Sequence, residues 1–223
     1  MKNISYLVII ILFTSNFSSY MFSQSSPNIF SSFGEIDEKI KVSNINTESK
    51  KRDLINTLEL KAKESPSEYG ENLKKGKQIN EITEIFNLYL ENLKSEMENS
   101  VEDPTDYESM DKSEFLDNAF FKDDKITPRG QEFLNNINNY RDNLRKILSD
   151  VKGMESIVKE IYEIFCTKDA IDREGNPFPW LEYHYKGFPL IASLTKITVV
   201  QSDAKNIEIE ILSKLIEKPL TNN

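Results

Sequence analysis

The sequence contains very few of the residues on which most catalytic and metal sites depend. Its 223 residues include one cysteine, Cys166, and one histidine, His184. A single cysteine excludes an internal disulfide and a thiolate metal cluster. The histidine lies in WLEYHYKGF, outside any HxxxH or HExxH motif, and we expect it to pack among its aromatic neighbours. GxGxxG, P-loop and GxSxG motifs are also missing, so we predict a protein that is not an enzyme and that uses no metal or cofactor.

Glycine, proline and clustered basic residues are scarce as well. Only 7 Gly and 8 Pro occur, which favours long uninterrupted elements over a β-fold with many turns. The net charge of −9 and the absence of a long basic patch exclude nucleic acid as a partner, because phosphate binding needs clustered Lys and Arg. The strongly acidic segment 96–117 lacks the alternating ligands and mid-loop glycine of a calcium loop, so we interpret it as a solvated linker.

Charged residues are missing from the N-terminus between Lys2 and Glu35. The apolar run YLVIIILF is followed by the Ser-rich stretch TSNFSSYMFSQSS, in which the small Ser23 precedes Gln24, and this order is typical of a cleaved export signal within residues 1–24. Residues 4–22 also approach the roughly 20 residues that a membrane helix needs, so a retained single anchor stays open. In both cases we expect the rest of the chain to be exported, with membrane contact only through residues 4–22.

From Ser26 onward the pattern is helical. Helix start signals, each a Ser or Thr followed by Pro, occur at Ser26, Ser65 and Thr127, and Glu68 is placed to complete a capping box with Ser65. Apolar residues at helical spacing follow each signal, and shorter helices are predicted in SEFLDNAFF and MESIVKEIYEIF. We therefore predict an all-α fold, a bundle of long antiparallel helices over residues 26–218, with one N-terminal apolar helix or signal segment and a tail at 219–223.

The last helix, roughly Pro189 to Glu217, has the most regular pattern. The segment ITVV would suit a strand, but the larger spacing alternates steps of four and three residues, a period of 3.5. At about 1.5 Å per residue the helix would be roughly 40 Å long, so we expect part of this seam to contact another chain in a homodimer. The eight seam positions are Leu190, Leu194, Ile197, Gln201, Ala204, Glu208, Ile211 and Leu215.

Two of the seam positions are polar, and each allows two interpretations. Gln201 and Glu208 can lie at the edge of the apolar stripe, where their side chains reach water. Alternatively, they lie inside a helix–helix contact and fix its register through hydrogen bonds, at some loss of stability. The sequence leaves both interpretations open.

The stretch WLEYHYKGFPLIASLTKITVVQSDAKNIEIEIL resembles the end of the N-terminal periplasmic domain of the GldM/PorM family of gliding-motility and type IX secretion proteins. The shared pattern is an aromatic-rich turn, a Gly-x-Pro-Leu helix start, Gln-x-Asp and then Glu-x-Glu. SSFGEIDEKI, YESMDKSEFLDNAFF and GQEFLNNINNY resemble earlier parts of the same domain. In this sequence the pattern falls on Trp180, Gly187, Pro189, Leu190, Gln201, Asp203, Glu208 and Glu210.

The resemblance implies an all-α homodimeric domain on the periplasmic side of the inner membrane, which docks onto other proteins. A GldL-like inner-membrane protein is the implied partner. A proton-driven motor subunit with a retained membrane helix is the alternative function, and an unrelated exported helical binding protein is another. The family's β-sandwich domains do not follow before Asn223, and the arginine preceding its membrane helix has no counterpart beyond Lys2. These departures favour a short GldM-like paralogue.

Overall fold

The computed structural model describes residues 28–101, 114–123, 125–149, 151, 154, 157 and 189–220, and its side chains from residue 46 onward except Pro189 and Ala192. This part of the chain forms four α-helices. They are α1 (Asn28–Glu64), α2 (Pro66–Glu98), α3 (Pro128–Leu148) and α4 (Pro189–Glu217). A short 3-10 helix (Leu116–Asn118) and an antiparallel hairpin of β1 (Phe121–Lys122) and β2 (Lys125–Ile126) lie between α2 and α3. The all-α prediction is confirmed.

The helix starts follow the predicted signals in part. Thr127 caps α3 as predicted, because its hydroxyl oxygen accepts a hydrogen bond from the Gly130 backbone nitrogen at 3.1 Å. The capping box predicted for α2 is wrong, since the Ser65 side chain makes no capping hydrogen bond. The start there relies instead on Pro66, whose ring presets a helical φ at the first position.

The segment SEFLDNAFF is less helical than predicted. It contains only the single 3-10 turn at Leu116–Asn118, and Phe121 already belongs to β1. Long-range contacts hold this segment in place: the Phe120 ring stacks on Phe133 with 4.3 Å between centroids, and the Phe120 backbone nitrogen donates to the Ser193 hydroxyl of α4 at 2.9 Å. The prediction failed because these contacts, which local periodicity does not encode, favour the hairpin.

Ion pairs and hydrogen bonds along α2 establish how the helices run. Lys51 of α1 pairs with Glu84 of α2 at 3.6 Å, and Glu59, further along α1, pairs with Lys77, earlier in α2, at 2.9 Å. Residue numbers thus rise along one helix while they fall along the other. The two helices are antiparallel, as the sequence predicted.

The other two helices also run opposite to α2. Towards one end of α2, Glu91 contacts Gln201 of α4 and Glu96 contacts Arg129 of α3. Towards the other end, Asn72 reaches Leu215 near the end of α4, and Lys75 donates from its Nζ to the Ile147 carbonyl of α3 at 2.9 Å. Because α2 packs against α1, α3 and α4 and runs antiparallel to each of them, it is the central element of the bundle.

The apolar core lies between these helices and is continuous. Burial of each large apolar side chain stabilises the fold by about 1.5–3 kcal/mol relative to exposure. Ile79, Leu90 and Met97 contribute from α2 and are fully buried, and Phe133 and Leu144 contribute from α3. The core therefore extends along most of the length of α2.

Several predictions fall outside the described residues. The signal or anchor at residues 1–24, Cys166 and His184 are among them. Within the described part, no helix combines the length and the apolar character needed to cross a bilayer. That part also contains no group of three or more His, Cys, Asp or Glu side chains arranged to hold a metal ion.

Candidate functional site

The predicted seam of α4 lies inside the bundle. Its apolar members are all buried in the core that α4 forms with α1, α2 and the 3-10 segment. A second copy of the chain could contact these side chains only if the bundle rearranged. Homodimerisation stays a prediction. The buried seam residues are Leu190, Leu194, Ile197, Ala204, Ile211 and Leu215.

The two polar seam positions differ from each other. Gln201 lies at the edge of the stripe, partly exposed, and its side-chain nitrogen donates to a carboxylate oxygen of Glu91 at 2.9 Å. Glu208 is 0% exposed, and neither of its carboxylate oxygens has a hydrogen-bond partner among the residues that the structure describes. Glu208 therefore lies inside a helix–helix contact, but without the register-fixing hydrogen bonds that one interpretation of the sequence required.

A chain of ion pairs lies beside Glu208 and joins α1, α2 and α4. Lys51 pairs with Glu48 at 3.0 Å and with Glu84 at 3.6 Å, and Lys205 pairs with the same Glu48 at 3.3 Å. Burial raises the pKa of Glu208 to about 8. The positive charges of the two lysines oppose this shift, and the negative charges of the other two glutamates reinforce it.

The ion pairs also shift the pKa values of their own members. Burial alone would raise the pKa of Glu48, but its hydrogen bonds and charge interactions with Lys51 and Lys205 outweigh burial and lower it. Burial alone would lower the pKa of Lys51, yet the hydrogen bond that Lys51 donates to Glu48 and the charges of the surrounding carboxylates raise it. These shifts favour the charged form of both groups, so the network keeps its ion pairs at neutral pH.

Two further residues of the shared sequence pattern, Asp203 and Glu210, lie outside the cluster of charges around Glu208. Glu210 is exposed on α4. Asp203 is partly buried, and burial raises its pKa to about 7 while the charge of Lys196 opposes the shift. Trp180 and Gly187 lie outside the described residues.

The comparison with family models decides which family this fold represents. The model of the GldM N-terminal domain matches residues 28–218, a range that contains all four helices. The chain belongs to the GldM N-terminal domain family. No curated protein matches the sequence. Membership in the GldM family makes this chain a component of the gliding-motility and type IX secretion machinery.

Family membership also reduces the number of functions that are open to this chain. The GldM family consists of structural components of that machinery, associated with the inner membrane and the periplasm, and it is not a known enzyme family. The predicted relationship to GldM is confirmed, and an exported helical protein unrelated to it is excluded.

Asn72 of this GldM-family chain joins α2 to the end of α4 and was not among the residues predicted from the sequence. Its side-chain nitrogen donates to the carbonyls of Leu215 at 2.7 Å and Lys218 at 2.8 Å, and its side-chain oxygen accepts from the Leu220 backbone nitrogen at 2.9 Å. A signal was present, because Asn72 lies one helical turn before the buried Gly76 and two turns before Ile79. A polar residue at a core position of a stripe indicates a specific partner.

The outer face of this GldM-family bundle carries few large apolar side chains in the described residues. Leu60, Ile85 and Leu88 are 60%, 62% and 58% exposed. Ile85 and Leu88 are three positions apart on α2 and therefore share one helix face. These two are therefore the neighbouring large apolar side chains that the described part of α2 leaves exposed.

Proposed function

We propose that this GldM-family chain is a non-enzymatic docking domain on the periplasmic side of the inner membrane, in the gliding-motility and type IX secretion machinery. The observation that carries the proposal is the family match through all four helices. The buried polar groups support the proposal, because the side chains of Asn72 and Lys75 form hydrogen bonds to other helices of the same chain. A bundle of this kind is better suited to contact with other proteins than to the binding of a substrate.

We also propose that the chain forms a homodimer and contacts a GldL-like inner-membrane protein. Because Ile197 is fully buried within the single chain, Ile197→Asp would report on folding and not on a dimer. Contacts between chains have to use exposed residues. Ile85 and Leu88 on α2 are the positions at which these contacts should be sought first.

Photo-cross-linking in cells tests the docking role with the full-length chain. A photoreactive amino acid is introduced at Ile85 or Leu88 in one of two differently tagged copies, and at the exposed Asn92 as a control on the same helix. We expect products that contain both tags, and products with an inner-membrane protein, at Ile85 and Leu88 but not at Asn92. A complete lack of products at Ile85 and Leu88 would contradict docking through this face.

The role in the machinery is tested separately from the contact surface. Deletion of the gene is expected to impair gliding or the secretion of type IX cargo, and the wild-type chain should restore it. Normal gliding and normal secretion after deletion would overturn the proposed function. A strain carrying Ile85→Asp and Leu88→Asp, compared with Asn92→Asp, then separates loss of docking from loss of the protein.

A proton-driven motor subunit with a retained membrane helix is the alternative, and the apolar run YLVIIILF favours it. That function requires the N-terminal segment to stay attached. Mass spectrometry of the mature N-terminus distinguishes the two, because a chain that starts at Gln24 has lost the segment and cannot act in this way.

A further inference from the structure

Glu208 is a buried acidic group that the docking function does not use. Its side chain is 0% exposed at the junction of α1, α2 and α4. Neither carboxylate oxygen accepts a hydrogen bond within the described part of the chain. An ionised carboxylate in such a place would lose the stabilisation of water without a replacement donor, which is among the most unfavourable arrangements in a protein interior.

The charges around Glu208 are already balanced without it. Lys51 and Lys205 provide two positive charges, and Glu48 and Glu84 provide two negative ones, joined by ion pairs of 3.0–3.6 Å. A negative charge on Glu208 would be a fifth charge without a counterion of its own. The neutral, protonated form of Glu208 avoids both this imbalance and the desolvation of a charge.

The titratable group that α3 contributes near Glu208 is the phenol of Tyr140, which cannot supply a positive charge. Tyr140 is buried, and its hydroxyl is hydrogen-bonded to that of Thr83 at 2.9 Å. Burial raises the pKa of Tyr140, the hydrogen bond with Thr83 opposes the shift, and a negative charge on Glu208 would raise it further. Tyr140 therefore stays neutral and does not compensate a charge on Glu208.

We propose that Glu208 is a proton-binding site of the bundle. Its carboxyl group carries a proton in the folded chain at neutral pH, and the need to keep this proton makes the packing of α4 against α1 and α2 less stable as the solution becomes less acidic. Glu208 lies where α1, α2 and α4 meet, so its protonation affects the contacts among all three helices. The bundle is thereby sensitive to the proton concentration of its compartment.

The direction of the pH effect follows from the two states of the chain. Glu208 has its ordinary pKa of 4.5 in the unfolded chain and a pKa of about 8 in the folded one. Between these values the folded chain binds a proton that the unfolded chain does not. The stabilisation by Glu208 is therefore complete below pH 4.5, and its contribution to the folding equilibrium constant falls about tenfold per pH unit up to about pH 8, where this loss ends.

Denaturant unfolding of the full-length chain between about pH 4.5 and about pH 8 tests the proposal. Glu208→Gln preserves the shape of the side chain but cannot ionise, so this variant should lose less stability than the wild type between these pH values. The loss that it keeps comes from Asp203, whose pKa burial also raises. The matched control is Glu210→Gln, a neighbouring exposed glutamate on α4, which should follow the wild type. Parallel curves for the wild type and Glu208→Gln would overturn the proposal.

Infrared spectroscopy detects the proton directly and does not depend on the stability of Glu208→Gln. The folded chain should show a carbonyl band of a neutral carboxylic acid at neutral pH, and the band should disappear near pH 8. Because Asp203 has a pKa of about 7, the titration is done in an Asp203→Asn background. Lys51→Met removes a positive charge that favours ionisation, so the band should persist to higher pH. No such band at neutral pH in Asp203→Asn would overturn the proposal.

Discussion

The side-chain nitrogen of Asn72 on α2 donates a hydrogen bond to the backbone oxygen of Leu215 on α4 at 2.7 Å, across 143 positions of sequence. The last carbonyls of a helix have no partner within the helix, so they need donors from elsewhere. Asn72 provides one to Leu215 and another to Lys218. Asn72 thus fixes where α4 ends against the centre of the bundle.

Asn72→Ala should destabilise the protein by about 2–4 kcal/mol. It removes three hydrogen bonds and leaves buried or partly buried backbone groups without a partner. The free energy of unfolding in urea measures the loss. Asn92→Ala, at an exposed position of the same helix, should change this free energy by less than about 1 kcal/mol. Similar losses in the two variants would contradict the role assigned to Asn72.

Two glycines of α2 should respond to alanine in opposite directions. A Cβ at Gly76 would lie 2.8 Å from Leu58 Cδ2 and 3.3 Å from Leu212 Cδ2, so Gly76→Ala should destabilise the bundle by about 1–3 kcal/mol. A Cβ at Gly70 meets nothing within 4 Å, so Gly70→Ala should stabilise it by about 0.5–1 kcal/mol. Melting temperatures measure both, and shifts of the same sign would refute the close packing at Gly76.

The hydrogen bond between Thr83 and Tyr140 should be detectable as a coupling energy. Tyr140→Phe leaves the buried Thr83 hydroxyl without this partner, and a loss of about 1–3 kcal/mol is expected. Thr83→Val combined with Tyr140→Phe should be less destabilising than the sum of the single variants. Unfolding in denaturant for all four proteins of this cycle gives the coupling, and strict additivity would show that the two hydroxyls do not interact.

The ion pairs of Glu48 should stabilise the fold above its unfolded pKa and stop doing so in acid. The lowered pKa of Glu48 means that the folded chain holds its proton less tightly than the unfolded chain does. The stabilisation is therefore present above pH 4.5 and is lost as the pH falls through the folded pKa. Glu48→Gln should remove this acid-sensitive part, whereas Glu81→Gln, at an exposed position of α2, should retain it. Identical acid unfolding of Glu48→Gln and the wild type would argue against the network.

Local sequence signals were sufficient for the long helices. Prolines preset the starts of α2 and α3, and the 3.5-residue period predicted Pro189 to Glu217 as one helix, which is the extent of α4. The hairpin after residue 120 was not predictable in this way. Its two-residue strands are too short for periodicity, and Phe120 is held by Phe133 and Ser193, which are distant in sequence.

The sequence by itself determined that α4 would be a helix with one face to bury, because side-chain period is a local property of the chain. Only the tertiary structure decided that α1 and α2 of the same chain cover this face, and that Gln201 reaches Glu91 while Glu208 is enclosed. The same holds for the pKa of Glu208. Burial and neighbouring charges set that value, and both come from segments that lie far apart in sequence and meet only after folding.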